Sequence, residues 1–322
     1  MKILVTGGAG FIGSNVADAY IEAGHEVVIL DNLFTGRREN LNPRAKFYLM
    51  DVRSPEVGKV FEHERPDVVN HHAAQMSVPA SVEDPLFDAD VNVKGFLNVL
   101  EAARKNGTKK VIFISSGGAV YGEATEYPTG EDYMPRPASP YAITKLVSEK
   151  YLDFYRDQYG LDYTVLRYAN IYGPRQVPHG EAGVVAIFMD RLISGLPCTV
   201  NAYSDEPRGM TRDYCFVTDV ARANLLALEK GSGGIYNIGT GVATHTLELF
   251  NGIASALSRV RPLSEALKTP AKGDARPGDI KRSCLTIGKA KEGLGWGPLV
   301  GLESGLGLTM EWRLGGKIRL TS

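Results

Sequence analysis

Apolar runs of four to seven residues alternate with longer amphipathic stretches through the first half of the chain. Positions 2–6 read as an apolar strand, and Thr6-Gly7-Gly8-Ala9-Gly10-Phe11-Ile12-Gly13 follows at once. A helix to about residue 23 comes next, then a second strand over 26–30 that ends in Asp31. The alternation repeats, with strands over 46–50, 67–70 and 109–115 and helices over 55–64 and 85–105. Short apolar strands separated by helices predict a parallel sheet covered on both faces. Ligands in such sheets bind beyond the carboxyl ends of strands, where Asp51, Ala73 and Ser115-Ser116 fall. His71 and His72 are neighbours on an extended segment and point apart. They read as packing or loop residues rather than as a metal pair.

A helix over 140–160 and a further strand over 163–168 continue the alternation, and past residue 174 the pattern loosens, with a helix over 181–195, a strand over 198–203 and a polar loop over 204–210. A helix over 218–230, a strand over 234–239 and a helix over 246–258 follow. The strand over 234–239 is expected to return to the first sheet. The reading is therefore an α/β chain: a Rossmann-type doubly wound unit over 1–170, rejoined by about 211–240, and a smaller α+β remainder over 171–322. The tail beyond Gly301 carries only a helix end and a basic terminus.

The glycine turn adds chemistry to this outline. Strand, glycine turn, helix, strand and acid occur in the order and span of a dinucleotide-binding unit. Gly7 permits the tight turn, Gly10 lets a pyrophosphate approach the backbone, and Gly13 lets helix and strand pack closely. The diphosphate would sit at the helix N-terminus, where free N–H groups point. Asp31 stands where a carboxylate accepts bonds from ribose hydroxyls and repels a 2′-phosphate, so the cofactor is read as NAD rather than NADP. Arg37 and Arg38 read as solvated loop charges.

A second feature is Tyr141-Ala142-Ile143-Thr144-Lys145. A tyrosine and a lysine four apart share one helix face. A neighbouring ammonium favours the phenolate. Bringing a phenol from about 10 to about 7 requires ~4 kcal/mol of differential stabilisation, which one lysine plus one cationic cofactor ring, both partly shielded from water, would supply.

The bulk numbers narrow the class. The 322 residues carry a net charge of −1 and are 43% hydrophobic, enough for one large domain or two ordinary ones. Balanced charge offers no attraction to nucleic acid or to a membrane surface. No apolar run approaches the ~18 residues of a membrane span, and the N-terminus lacks a secretory pattern. Cys198, Cys215 and Cys284 are scattered and odd in number, which suits a reducing cytoplasm. No Cys/His spacing suggests a metal.

With these residues in place the chain resembles the extended short-chain dehydrogenase/reductases that act on nucleotide sugars, and within them the UDP-glucose (UDP-galactose) 4-epimerases. The resemblance rests on Thr6–Gly13, Asp31-Asn32, Asp51-Val52, His72-Ala73-Ala74, Asn92, Ser115–Gly122, Tyr141–Lys145, Arg167–Asn170, Arg212-Asp213-Tyr214 and Arg276–Asp279. It implies an NAD site formed by Gly7, Gly10, Phe11, Ile12, Gly13, Asp31, Asn32, Asp51, Val52, His72, Ala73, Ala74, Gln75, Asn92, Ser115 and Tyr168, with Tyr141 and Lys145. It also implies a UDP-sugar site formed by Met76, Ser116, Tyr141, Asn170, Tyr203, Arg212, Tyr214, Arg276 and Asp279. Tyr141 is then the general base and acid, Lys145 its activator, and Arg212 and Arg276 hold the sugar diphosphate. A homodimer through the helices over 85–105 and 140–160 is expected.

One position departs from the family pattern. The slot that usually holds a hydroxyl is Gly117, so Ser116 takes that role only if the backbone turns there. Gly118 and Ala119 stand where dehydratases and decarboxylases carry an acid, which argues for hydride transfer with one proton relay. Ser283 is expected beside the sugar C2 group, where a small residue leaves room for an N-acetyl group. The implied reaction is reversible inversion at C4 of a UDP-hexose with bound NAD. A net NAD-dependent nucleotide-sugar dehydrogenase and a non-catalytic dinucleotide-binding regulator are the rival readings.

Overall fold

The computed structural model describes residues 1–178, 183–275 and 280–316. Seven parallel strands form the central sheet: β1 (Lys2–Thr6), β2 (Glu26–Asp31), β3 (Lys46–Leu49), β4 (Val68–His71), β5 (Lys110–Ser116), β6 (Asp162–Tyr168) and the later strand Gly234–Ile238. The spatial order is Gly234–Ile238, β6, β5, β4, β1, β2, β3. The chain winds outward from β1 to β3, then crosses back to β4 and winds the other way. That reversal opens a crevice at the carboxyl ends of β1 and β4.

Both faces of the sheet are apolar, as near-continuous hydrophobic strands require. Ile3 and Val5 face Val16 and Tyr20 of helix Phe11–Glu22 and Val220 of helix Val217–Ala227. Leu4, Val28 and Leu30 face Phe61, Phe96 and Leu152 from three helices on the other side. Full burial of one such side chain contributes about 1.5–3 kcal/mol, so the two layers hold the strand ends rigidly.

The second half builds smaller sheets. The strands β7 (Asn170–Tyr172), β8 (Thr199–Ala202) and β9 (Thr211–Phe216) continue the chain, and the central-sheet strand Gly234–Ile238 is β10. β9 pairs in parallel with β7 and antiparallel with β11 (Ala243–His245); β8 pairs with β12 (Ala271–Asp274). A third core joins Phe188, Met189, Phe250, Leu306 and Met310.

The expected elements appear with shifts of a few residues, apart from three differences. The helix expected over 85–105 is interrupted: Pro85–Ala89 and Phe96–Lys105 flank a π-helical turn at Asp90–Gly95. The wider turn brings Gly95 against Val52, where a Cβ would come within 2.9 Å of Cγ2. Residues 211–216, between the polar loop and the helix expected over 218–230, form a strand because β7 and β11 complete their hydrogen bonds on both sides. The tail beyond Gly301 contains a full helix, Leu302–Arg313. No described helix is long and apolar enough to cross a membrane.

Candidate active site

A cleft of about 580 Å³ runs along the carboxyl ends of β1, β2, β4, β5 and β6. Its cofactor end is made chiefly by backbone. Gly7 has φ +68°, and a Cβ there would stand 2.7 Å from Ala73 N. A Cβ on Gly13 would stand 2.3 Å from Gly7 O. No side chain caps the helix that begins at Phe11, so its first N–H groups face the cleft. Asp31 is 7% exposed and accepts from Ala9 N at 2.9 Å and Leu33 N at 2.7 Å. Burial raises its pKa. These two bonds take about half of a carboxylate's lone-pair sites, which leaves acceptors for ribose hydroxyls. Asp51 is clamped by Arg53, whose Nε and Nη2 each stand 2.9 Å from a carboxylate oxygen, and by Asn32 Nδ2 at 2.8 Å. The Arg53 bond holds its pKa at about 2. The set fits NAD: an open helix N-terminus, a glycine cradle that side chains would fill, and an oriented acid on the second strand.

The two histidines divide the work. His71 is buried, its Nδ1 2.8 Å from Thr6 Oγ1, and its ring packs on Phe96 and Phe113. His72 lines the cleft, and burial holds its pKa at about 3, so it is neutral.

Ser139 caps the helix Pro140–Tyr159 by accepting from Ala142 N at 3.2 Å, with Pro140 in the first turn. That start places Tyr141 and Lys145 on the cleft wall. Lys145 Nζ donates to Ile114 O at 2.9 Å and lies 5.8 Å from the Tyr141 ring centre. Burial lowers Lys145 to about 8. Burial also pushes Tyr141 up to about 12, while a bond with the Ser116 side chain works against that rise. Lys145 by itself therefore does not ionise the phenol, and the positive cofactor ring counted beside it in the sequence reading is needed as well. Desolvation outweighs a cation that already serves a backbone carbonyl.

The Gly117 question has a packing answer. β5 extends through Ser116, and a helical turn starts at Gly117. A Cβ on Gly117 would come within 2.6 Å of Leu285 Cδ1. A Cβ on Gly118 would face Ser116 Oγ, Asn170 Oδ1 and Ser283 Oγ at 3.8–4.0 Å. The turn therefore directs Ser116 to the cleft, and Leu285 takes the space a side chain at 117 would use. Ser283 stands beside the same opening.

The sequence-derived residues do not all reach the cleft. Gly7, Gly10–Gly13, Asp31, Asn32, Asp51, Val52, His72–Met76, Ser115, Ser116, Tyr141, Lys145, Tyr168, Asn170 and Tyr214 line it. Asn92 stands behind it, bonded to Gln75 N and O at 2.8 and 2.9 Å, to Asp88 and to Thr144. Tyr203 packs under Lys281 at 4.8 Å. Arg212 donates to Thr211 O at 2.9 Å and to Lys281 O at 3.5 Å, away from the cleft lining. Arg276 and Asp279 lie outside the described residues. Among the described residues no cluster of His, Cys, Asp or Glu could hold a metal ion.

Several supports escaped sequence reasoning. Asp88 is fully buried and accepts from Thr144 Oγ1 at 2.8 Å, Gln75 Nε2 at 2.9 Å and Asn92 Nδ2 at 3.0 Å, tying three segments together. Glu149 joins Ser115 Oγ at 2.6 Å to a buried two-point pair with Arg167, whose Nη1 donates to Tyr121 at 2.9 Å. Only helix spacing hinted at these: Glu149 and Lys145 share a face, as do Asp88 and Asn92.

Residues 3–239 match the NAD-dependent epimerase/dehydratase family. The chain belongs to that family. It is 45% identical over 318 residues to the UDP-glucose 4-epimerase of Mycolicibacterium smegmatis, covering 97% of this chain and 98% of that protein. Among solved structures it is similar to the UDP-glucose 4-epimerase of Thermotoga maritima crystallised with UDP-glucose. The TM-score is 0.91 at 48% identity, with 98% of this chain and 99% of that one covered. The Thermus thermophilus UDP-glucose 4-epimerase in complex with NAD gives a TM-score of 0.88 at 47% identity, covering 97% and 98%. Membership makes NAD the cofactor of this cleft.

Proposed function

We propose that this family member inverts C4 of a UDP-hexose reversibly, interconverting UDP-glucose and UDP-galactose, with N-acetylated forms as further substrates. The observation that carries the reading is the meeting of Tyr141, its Ser116 partner and Lys145 at the end of β5, facing the glycine-turn cleft. The similarity to UDP-glucose 4-epimerases over nearly the whole chain supports it.

NAD, when bound, would supply a reversible two-electron hydride acceptor for the C4 carbon, with no net change of oxidation state over a turnover. The chain's own residues handle the proton and the pose. With the positive charge of the nicotinamide ring added to that of Lys145, Tyr141 would stand as the phenolate; it takes the proton of the C4 hydroxyl as the carbinol becomes a ketone, and gives it back after the sugar has turned its other face. Ser116 holds the Tyr141 hydroxyl and reaches the same sugar oxygen. Lys145, lowered to about 8 but still mostly protonated at neutral pH, adds positive charge beside the phenol. Arg212 and Arg276 are assigned to the sugar diphosphate; one nitrogen of Arg212 makes both backbone bonds, and a guanidinium carries five N–H donors. The opening at Gly118 and Ser283 gives room beside the sugar ring.

In this reading residues 1–170, rejoined by about 211–240, grip the dinucleotide, and the remainder over 171–322 grips the UDP-sugar. The protein acts in the cytoplasm as a homodimer. Buried, unpaired Cys198, Cys215 and Cys284 suit that compartment. Leu86, Ile143, Val147 and Phe154 are exposed apolar residues on the expected pairing helices; sedimentation at monomer mass would refute the dimer. The reaction is tested by incubation with a panel of UDP-sugars without added NAD, followed by product separation. Appearance of the C4 epimer without net reduced nicotinamide supports the proposal. Steady accumulation of reduced nicotinamide, or no conversion by NAD-loaded protein, overturns it.

A further inference from the structure

The segment Tyr172-Gly173-Pro174-Arg175-Gln176-Val177 leaves the second half of the chain and crosses the helix Phe11–Glu22. Three observations fasten it there. Asn15 Nδ2 donates to Pro174 O at 3.3 Å. Arg175 Nη2 donates to Asp18 Oδ2 at 2.6 Å. The other Asp18 oxygen accepts from Asn42 Nδ2 at 2.8 Å, which fixes the carboxylate. Arg175 adopts φ +73°, a left-handed conformation that side chains rarely take. The surrounding bonds hold it there, and such conformations gather at ligand sites.

The rest of the guanidinium is what draws notice. Arg175 lines the cleft with Gly10, Phe11 and Ile12, yet its Nη1 is shut off from water and has no hydrogen-bond partner. A buried donor without an acceptor is unfavourable, so the geometry prepares it for a group that arrives. The other basic side chains of the cleft lining are engaged elsewhere. Arg53 serves Asp51 and Asp90, Arg37 pairs with Glu39, and Lys145 serves Ile114 O. The open helix N-terminus beside Arg175 already favours an anion.

We infer that Arg175 is a binding residue for the cofactor's diphosphate, closing the anion site of the glycine turn from the opposite wall. The inference rests on the NAD reading of that cleft and adds a side chain from the second half of the chain to it. Asp18 anchors the fork through Nη2, and a swing of the guanidinium about that anchor brings the unpartnered Nη1 out of its closed position to a phosphate oxygen, an arrangement that the single ammonium of a lysine does not reproduce. The same contact couples cofactor retention to the Gly173–Val177 segment.

The test measures ligand affinity on NAD-stripped protein, independent of turnover, with ADP-ribose, adenosine and UDP as probes. In Arg175→Met the Kd for ADP-ribose should rise at least tenfold, while the values for adenosine and UDP stay within twofold. Arg175→Gln, which keeps a polar side chain but loses the charge and the guanidinium fork, is read the same way if the Met variant fails to fold. An ADP-ribose Kd within twofold of wild type overturns the inference. Equal weakening of adenosine overturns it as well, since that would mean a distorted site, and selective weakening of UDP would transfer Arg175 to the substrate. Wild-type protein that binds no ADP-ribose would instead overturn the dinucleotide reading.

Discussion

The two ends of the cleft are built by different means. At the cofactor end the main chain does the shaping. Gly7 and Gly13 are places where a side chain would strike backbone atoms, and Asp31 is oriented by two amides. At the reacting end, side chains distant in sequence set the geometry. Leu285 fills the space at Gly117, Glu149 and Arg167 brace Ser115, and Asp88 locks Gln75, Asn92 and Thr144 together. A backbone-built site is a matter of local conformation. A side-chain-built site depends on which elements happen to meet.

The comparison can be broken experimentally. The largest expected effect lies in the buried pair behind the reacting end. Glu149→Gln leaves Arg167 charged and uncompensated where both side chains are under 5% exposed. Breaking such a pair costs about 3–5 kcal/mol, which denaturant unfolding would register, and a loss below about 1 kcal/mol would mean that water or neighbours replace it. Next comes Tyr141→Phe, expected to lower kcat at least ~100-fold, or about 2.7 kcal/mol, with NAD retention unchanged. Near-wild-type turnover would remove Tyr141 from the chemistry, and lost NAD would blur the line between the two ends.

A smaller effect should come from Gly117→Ser. Its side chain meets the end of Leu285, a flexible group that can give way, so a cost of about 1 kcal/mol is expected. Adding Leu285→Ala should make the hydroxyl at 117 less costly than the two single changes would sum to. Strict additivity would show that packing does not dictate the glycine. The smallest effect is acid sensitivity at the cofactor end. Arg53 holds Asp51 at about 2, below the ordinary 3.8. A depressed carboxyl stabilises the fold above its unfolded value and loses that contribution as pH falls from about 4 to about 2. With Asp51 about a quarter exposed, the amount is under about 1 kcal/mol. In Arg53→Met the stability of the protein between those pH values should fall less steeply; an unchanged slope would place the acid sensitivity elsewhere.

The same contrast decides what could be read without coordinates. The glycine turn, Asp31, and the Tyr141–Lys145 face were legible because each depends on spacing within one or two consecutive elements. Ser116 was legible only as a condition on a backbone turn, and Leu285, which occupies the side-chain space at Gly117, stands 168 residues away in the chain. For the Tyr141 phenol the spacing shows a neighbouring amine and hides the burial that opposes it, which is why the cofactor ring has to share the task. Arg175 escaped for a related reason: its loop gives no period, and its partner Asp18 sits on a helix 157 residues earlier.

By itself the sequence determined the parallel architecture, the dinucleotide turn and the identity of the phenol and amine, because hydrophobic period and glycine spacing are local properties of the chain. Only the tertiary structure decided which groups share a dielectric environment: that Ser116 faces Tyr141, that Asn92 stands behind the wall rather than in it, and that Arg175 brings an unpartnered donor to the glycine turn. Burial and partner choice are sums over every element packed around a site, and no single stretch of sequence contains that sum.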